Sequence, residues 1–223
     1  MMQIERRQKK MSQEIRCFNF ELRAKEEERG HEVEGLAIVY DSKYDNGMWD
    51  EYIDRGALDK CDLKDVRLLV NHNTDMIPLA RSRNNTANST MQLIHTDEGL
   101  KIRATLDIEN NSDARKLYSA TERGDISGMS FMFVVGEDKW DGLDTEHPTR
   151  HITKIDRVLE VSAVSFPAYE TTSFNVRDVF ALESVDAVLE SAKHEYKMKL
   201  EEEARKTKEI EKQKQRIRIL ANF

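Results

Sequence analysis

Strand alternation in the segment Arg123-Gly-Asp-Ile-Ser-Gly-Met-Ser-Phe-Met-Phe-Val134 separates one hydroxyl from the apolar side chains around it. Successive side chains of a strand point to opposite faces, so Met129, Phe131 and Phe133 can enter a core while Ser130 projects the other way. That placement suits a nucleophile, and it equally suits an ordinary strand serine. A histidine occurs in Val66-Arg-Leu-Leu-Val-Asn-His72-Asn, where alternation puts His72 on the face of Val66, Leu68 and Val70 as the strand gives way to Asn73, Thr74 and Asp75. A carboxylate occurs in Val158-Leu-Glu160-Val-Ser-Ala-Val-Ser-Phe-Pro167-Ala-Tyr169, a β-branched strand stopped by proline, which cannot donate to a ladder. An ionised carboxylate in a buried strand needs a partner, so Glu160 either lies on an exposed edge or meets a group such as a histidine. Each residue alone reads as structural. Together Ser130, His72 and Glu160 make the inventory of acyl transfer, in which a base takes the hydroxyl proton and an acid orients the base, whatever their order along the chain.

Other constellations compete with this one. His147-Pro-Thr-Arg-His151 has helical metal-ligand spacing, but Pro148 and the flanking Asp144, Thr145 and Glu146 read as a loop, so no metal site is expected. Cys61 with His72 would make a thiolate nucleophile pair, against which stands the reading of a small core thiol. Ser127 falls on the Phe131 face by parity and is the poorer nucleophile. Trp49 and Trp140 read equally as core or groove wall.

The chain resembles the prohead (capsid maturation) proteases of tailed bacteriophages, relatives of the herpesvirus assemblin serine proteases. The resemblance runs over roughly residues 15 to 177, through Glu34-Gly-Leu-Ala-Ile-Val-Tyr40, Glu51-Tyr-Ile-Asp-Arg-Gly-Ala57, Val70-Asn-His72-Asn, Gly128-Met-Ser130-Phe and Leu159-Glu160-Val-Ser-Ala-Val-Ser-Phe-Pro167-Ala-Tyr169. Each piece is short; their order and spacing make the combination specific. The sequence departs from the family pattern at Leu79-Ala80-Arg81 and at Ser130-Phe131-Met132-Phe133, and neither departure removes one of the three residues. The resemblance implies a serine endopeptidase with Ser130 as nucleophile, His72 as base and Glu160 as orienting acid, and no metal or organic cofactor. It implies a capsid protein or its scaffold segment as substrate, self-cleavage, and work in the host-cell cytoplasm inside the assembling prohead; it leaves a homo-oligomer open. Assemblins use a second histidine as third triad member, which keeps His151 in play. A non-catalytic scaffold or assembly factor acting through the C-terminal segment is the alternative.

Composition is compatible with this reading. The chain has 223 residues, 39% of them hydrophobic, enough for one domain of about 150 residues and a peripheral segment. No apolar run approaches the roughly 20 residues of a membrane span, and the first ten residues lack the apolar stretch of a secretory signal. Cys17 and Cys61 show no CxxC spacing, which points to unpaired thiols in a reducing compartment. The net charge of -7 argues against a general nucleic-acid binder.

The elements that must position the three residues are mostly strands. Arg16 to Leu22 alternates loosely, Glu34 to Tyr40 is β-branched, and Met91 to His95 with Gly99 to Leu106 reads as a hairpin closed by Thr96-Asp-Glu-Gly99. Asn111 to Gly124 reads as a helix with Ser112 as N-cap, Asp113 in the first turn and glycine at its end. Gly56 to Leu63 reads as a second, short helix. Many short strands with few helices predict a mainly β (α+β) fold, a closed or nearly closed β-barrel of the kind the resemblance also implies. From Asp178 there is no glycine or proline, and Val179, Leu182, Val185, Leu189, Ala192, Tyr196 and Leu200 recur three or four apart, predicting a long amphipathic helix whose charges dominate beyond Leu200. The expected organisation is a flexible basic leader over 1–14, a protease domain over 15–177 and a charged helical tail over 178–223.

Overall fold

The computed structural model describes residues 13–18, 22–27, 30–165 and 185–220. The order of elements is β1 (Gln13–Phe18), β2 (Arg23–Glu27), β3 (Gly30–Val39), β4 (Tyr44–Asp45), β5 (Asp50–Ile53), β6 (Asp65–Val70), β7 (Ala80–Arg83), β8 (Met91–Thr96), β9 (Gly99–Leu106), α1 (Ser112–Glu122), β10 (Gly128–Asp141), β11 (Thr149–Val164) and α2 (Val185–Leu220). The fold is mainly β with two helices among the described residues.

The ladders form two sheets. One has seven strands, running β1-β10-β11-β5-β4, with β6 on the far part of β11 and β7 beyond β6; the other has four, in the order β2-β3-β9-β8. Among the described residues neither sheet closes on itself, so the expected barrel is not what the pairing gives. The mainly β character with few helices was as expected. Closure is a property of which edges pair, and the two sheets instead share one hydrophobic core drawn from Val33, Ile38, Leu100 and Ile102 on one side and Phe131, Phe133, Val158 and Val161 on the other. Burial of this apolar surface is the dominant stabilisation, and truncating Phe131 or Phe133, both fully buried, to alanine is expected to cost about 3 to 5 kcal/mol.

Local chemistry explains the connections. The β8–β9 hairpin turns through Asp97 and Glu98, as predicted, with Thr96 Oγ1 accepting from the amides of Glu98 and Gly99. Gly99 has φ 147°, and a Cβ there would lie 2.0 Å from the Ile38 carbonyl oxygen, so only glycine fits. Helix α1 is capped one residue earlier than predicted: Asn111 Oδ1, not Ser112, accepts from the amides of Asp113 and Ala114. Its buried face, Ala114, Leu117 and Tyr118, closes one side of the core. Residues 56–63 form no helix; they make successive tight turns, with Ala57, Asp59 and Cys61 donating to Asp54, Gly56 and Leu58. Strand β1 begins at Gln13, within the segment expected to be leader.

Helix α2 is a single element of 36 residues, beginning at Val185. The predicted start at Asp178 lies outside the described residues, as do Val179 and Leu182. Leu189 is buried and Val188, Ala192 and Tyr196 line a groove with Trp140, Arg150 and Glu14, whereas Leu200, Ile210 and Ile217 are exposed. No described helix is long and apolar enough to cross a membrane.

Candidate active site

Strands β10 and β11 are antiparallel neighbours, with Ser130 opposite Ser162 and Met132 opposite Glu160. Directly opposed residues share a face, so Ser130, Glu160 and Ser162 lie together on the side away from Phe131 and Val161. A register shift between Met132 and Phe133 leaves Leu159 without a partner. This bulge puts Val158 and Val161, three residues apart, against Phe133 and Phe131 on the core side and leaves Glu160 on the other.

Strand β6 runs parallel to the same stretch of β11, pairing Arg67 with Glu160 and Val70 with Ala163. The ladder ends as the Asn71 amide donates to the Ala163 carbonyl. Asn71 and His72 then adopt left-handed conformations, with φ 51° and 54°. For non-glycine residues each costs roughly 1 to 2 kcal/mol, which the surrounding bonds must offset. This turn overrides strand alternation: His72 does not share the face of Val66, Leu68 and Val70 as expected, and its imidazole lies on the Glu160 side of the sheet.

The three residues singled out in the sequence therefore meet. His72 Nε2 lies 2.6 Å from Ser130 Oγ, and His72 Nδ1 lies 2.6 Å from Glu160 Oε1. All three side chains are buried. With Glu160 ionised, Nδ1 carries the imidazole proton and donates it to the carboxylate, which leaves Nε2 to accept from the Ser130 hydroxyl. Ser130 Oγ is also 2.8 Å from the main-chain oxygen of Arg16 on β1, and Ser162 Oγ donates to Glu160 Oε2 at 2.6 Å. Ser162 was not among the expected site residues; its position two along from Glu160 on the same strand was the available signal.

The rival residues lie elsewhere. His151 is nine positions from Glu160 along β11, about 30 Å at the rise of a strand, and its Nδ1 pairs with Asp54 at 2.8 Å while its ring stacks on Tyr52. His147 pairs instead with Asp50 at 3.0 Å, so the two histidines of the metal-like spacing take different partners. Asp45, Asp50 and His147 bring ligand atoms within 4.8 Å of one another, but Lys43 Nζ already neutralises Asp50 at 2.8 Å. Burial pushes the Cys61 thiol up to about 12, which leaves it protonated at neutral pH and unsuited to attack. Ser127 is exposed ahead of β10.

Because β10 is flanked by β1 on one side and β11 on the other, the main chain around Ser130 is committed to ladders. An oxyanion donor must come from outside β10. The amide of Arg81 is also engaged, giving its proton to Thr90 Oγ1 at 2.8 Å.

A charge cluster that sequence reading missed anchors β1 beside the site. Arg16 pairs with Glu14 and Glu51, and Arg150 with Glu14 at 2.7 Å, Glu51 at 3.0 Å and Asp138 at 2.7 Å. Glu14, Arg16, Glu51 and Arg150 are all buried. Burial by itself would raise the Glu14 carboxyl, but Arg16 and Arg150 outweigh it and hold that group at about 2. Trp49 donates to Glu51 from its indole nitrogen, and Trp140 stacks edge-on against Trp49 with the Arg150 guanidinium over its ring, so both tryptophans belong to this cluster.

A family model described as caudovirus prohead serine protease matches residues 18–190, most of the chain. The chain belongs to that family. Its function is thus that of a phage serine protease of capsid maturation, and the match spans every strand from β2 to β11 together with the start of α2. No curated protein and no solved structure matches it.

Proposed function

We propose that this prohead protease uses Ser130 as nucleophile, His72 as general base and Glu160 as orienting acid, and that it cleaves the capsid protein or its scaffold segment, and itself, within the assembling prohead. The observation that carries the reading is the unbroken chain of short contacts from Ser130 Oγ through both ring nitrogens of His72 to Glu160, in a buried setting. His72 takes the hydroxyl proton as Oγ attacks the scissile carbonyl and returns it to the leaving amine. Glu160 holds the tautomer in which Nε2 is free to accept, and stabilises the imidazolium once it forms. Water repeats the sequence on the acyl-enzyme, and no step calls on a metal or organic cofactor.

Ser130 has no exposed surface, so a peptide reaches Oγ only after the site opens. In this reading residues 15–177 form the catalytic unit and the helix within 178–223 delivers it to the shell. The non-catalytic alternative loses its ground with membership of a protease family. The test is co-expression with the cognate capsid precursor: the wild-type chain shortens the precursor, Ser130→Ala leaves it whole while still folding, and processing by Ser130→Ala would overturn the assignment.

A further inference from the structure

Ser162 lies at the centre of the site yet has no part in the proton path, and its contacts are unusually directive. Its Oγ donates to Glu160 Oε2 at 2.6 Å and accepts from the main-chain amide of His72 at 3.1 Å, and the residue is fully buried. The direction of both bonds is fixed by chemistry. A main-chain amide can only donate, so Ser162 accepts there, and its single proton is left for the carboxylate.

Two consequences follow. The terminal torsion of a glutamate is broad, so a carboxylate held by one bond can turn. Here Oε2 is held by Ser162 and Oε1 by His72 Nδ1, one bond to each oxygen, which fixes the plane of the acid relative to the ring. The second consequence concerns the backbone. The β6–β11 ladder stops at the Asn71 amide, and the left-handed turn that follows aims the His72 amide at the Ser162 side chain. The Ser162 hydroxyl thereby holds the main chain at one of the two left-handed residues that bring the imidazole to the Glu160 side.

We infer that Ser162 is a positioning residue of the triad, whose one hydroxyl sets the Glu160 carboxylate and the His72 main chain in a single relative geometry. The inference rests on the Ser130–His72–Glu160 reading and adds a fourth residue to it. Ser162 touches the acid and the base but not the reacting atoms, so its loss should lower the rate of the chemical step and leave substrate binding alone.

The experiment uses the full chain and a fluorophosphonate as probe, comparing the saturating rate of labelling with the probe concentration at half-saturation. Ser162→Ala should lower the saturating rate roughly 10- to 100-fold, with half-saturation changed less than about twofold. Ser162→Cys keeps the size but donates more weakly and should fall between, which also decides the matter if the alanine variant does not fold. A second readout is independent of turnover. In a Ser130→Ala background, the downfield proton resonance of His72 Nδ1–H should be sharp, and adding Ser162→Ala should broaden or remove it. Wild-type rates in both Ser162 variants with an unchanged resonance overturn the inference while the triad stands. Full labelling in His72→Ala overturns the triad reading itself, whatever Ser162 does.

Discussion

The main-chain oxygen of Arg16 lies 2.8 Å from Ser130 Oγ, while His72 Nε2 lies 2.6 Å from the same atom. One hydroxyl proton thus faces two acceptors, a base that would use it in catalysis and a carbonyl that would hold it idle. The residue that supplies the carbonyl sends its side chain into the buried charge cluster, pairing with Glu14 and Glu51. The placement of β1 beside Ser130 is therefore coupled to four buried charges.

Removing one of those charges should be costly. Arg150→Met leaves Glu14 and Glu51 sharing a single guanidinium, and breaking a buried pair costs about 3 to 5 kcal/mol. The urea midpoint of the full chain is expected to fall accordingly. A loss below about 1 kcal/mol would mean that water or neighbouring groups replace Arg150 at little cost.

The same cluster gives an acid dependence with a definite sign. The Glu14 carboxyl is held at about 2 in the folded chain, below its ordinary 4.5, so the stability it contributes is fully present above about 4.5 and is lost as pH falls towards 2. The amount is on the order of 3 kcal/mol. Thermal unfolding followed from pH 6 to 2 should show a steeper fall in the wild type than in Glu14→Gln. Parallel curves would remove Glu14 as the source.

Glu160, the proposed acid, can be separated from its rival His151 by rate. Glu160→Gln should lose roughly 100-fold or more in processing, because an amide can present its N–H to Nδ1 and favour the wrong tautomer. His151→Ala, which breaks only a partly exposed pair with Asp54, should stay near wild type. The reverse ranking would assign the third position to His151.

Substitution of the other nucleophile candidates should be silent. Cys61→Ala removes a thiol that burial keeps protonated, and Ser127→Ala changes an exposed residue ahead of β10. Both variants are expected to process capsid precursor at wild-type rates in co-expression, and loss of activity in either without loss of fold would displace Ser130.

Helix α2 divides into a seated base and a bare shaft. Leu189 is buried, whereas Leu200, Ile210 and Ile217 are exposed. A stop after Glu203 should leave a folded chain with the wild-type rate of labelling by a serine probe, and should abolish co-purification with unprocessed proheads, since a helix with a thin apolar stripe and dense charge gains most from pairing with another helix. Normal entry of the shortened chain into proheads would show that the shaft has no part in delivery.

Much of the site was legible because it follows period two. Ser130 opposite its aromatic neighbours, and Glu160 as a carboxylate needing a partner, are consequences of alternation that the fold keeps. His72 was legible as a residue and illegible as a position. Two successive left-handed residues reversed its face, and neither is a glycine that would have announced the turn. The hairpin at Gly99 carried its own turn chemistry, whereas residues 56–63 had helical composition and folded as turns. The cluster of Glu14, Arg16, Glu51 and Arg150 was hidden because each residue resembles a solvent-facing strand position, and only the pairing of β1, β5, β10 and β11 brings them together. The missing barrel has the same origin: local patterns give strands, and long-range pairing decides whether sheets close.

The central claim is that Ser130 is the nucleophile activated by His72. Prolonged reaction of the full chain with a fluorophosphonate, followed by peptide mapping in a mass spectrometer, tests it most directly. One modified residue, Ser130, is expected, with labelling lost in His72→Ala. A label on any other serine, equal labelling in His72→Ala, or a folded wild-type chain that never takes the label would contradict it.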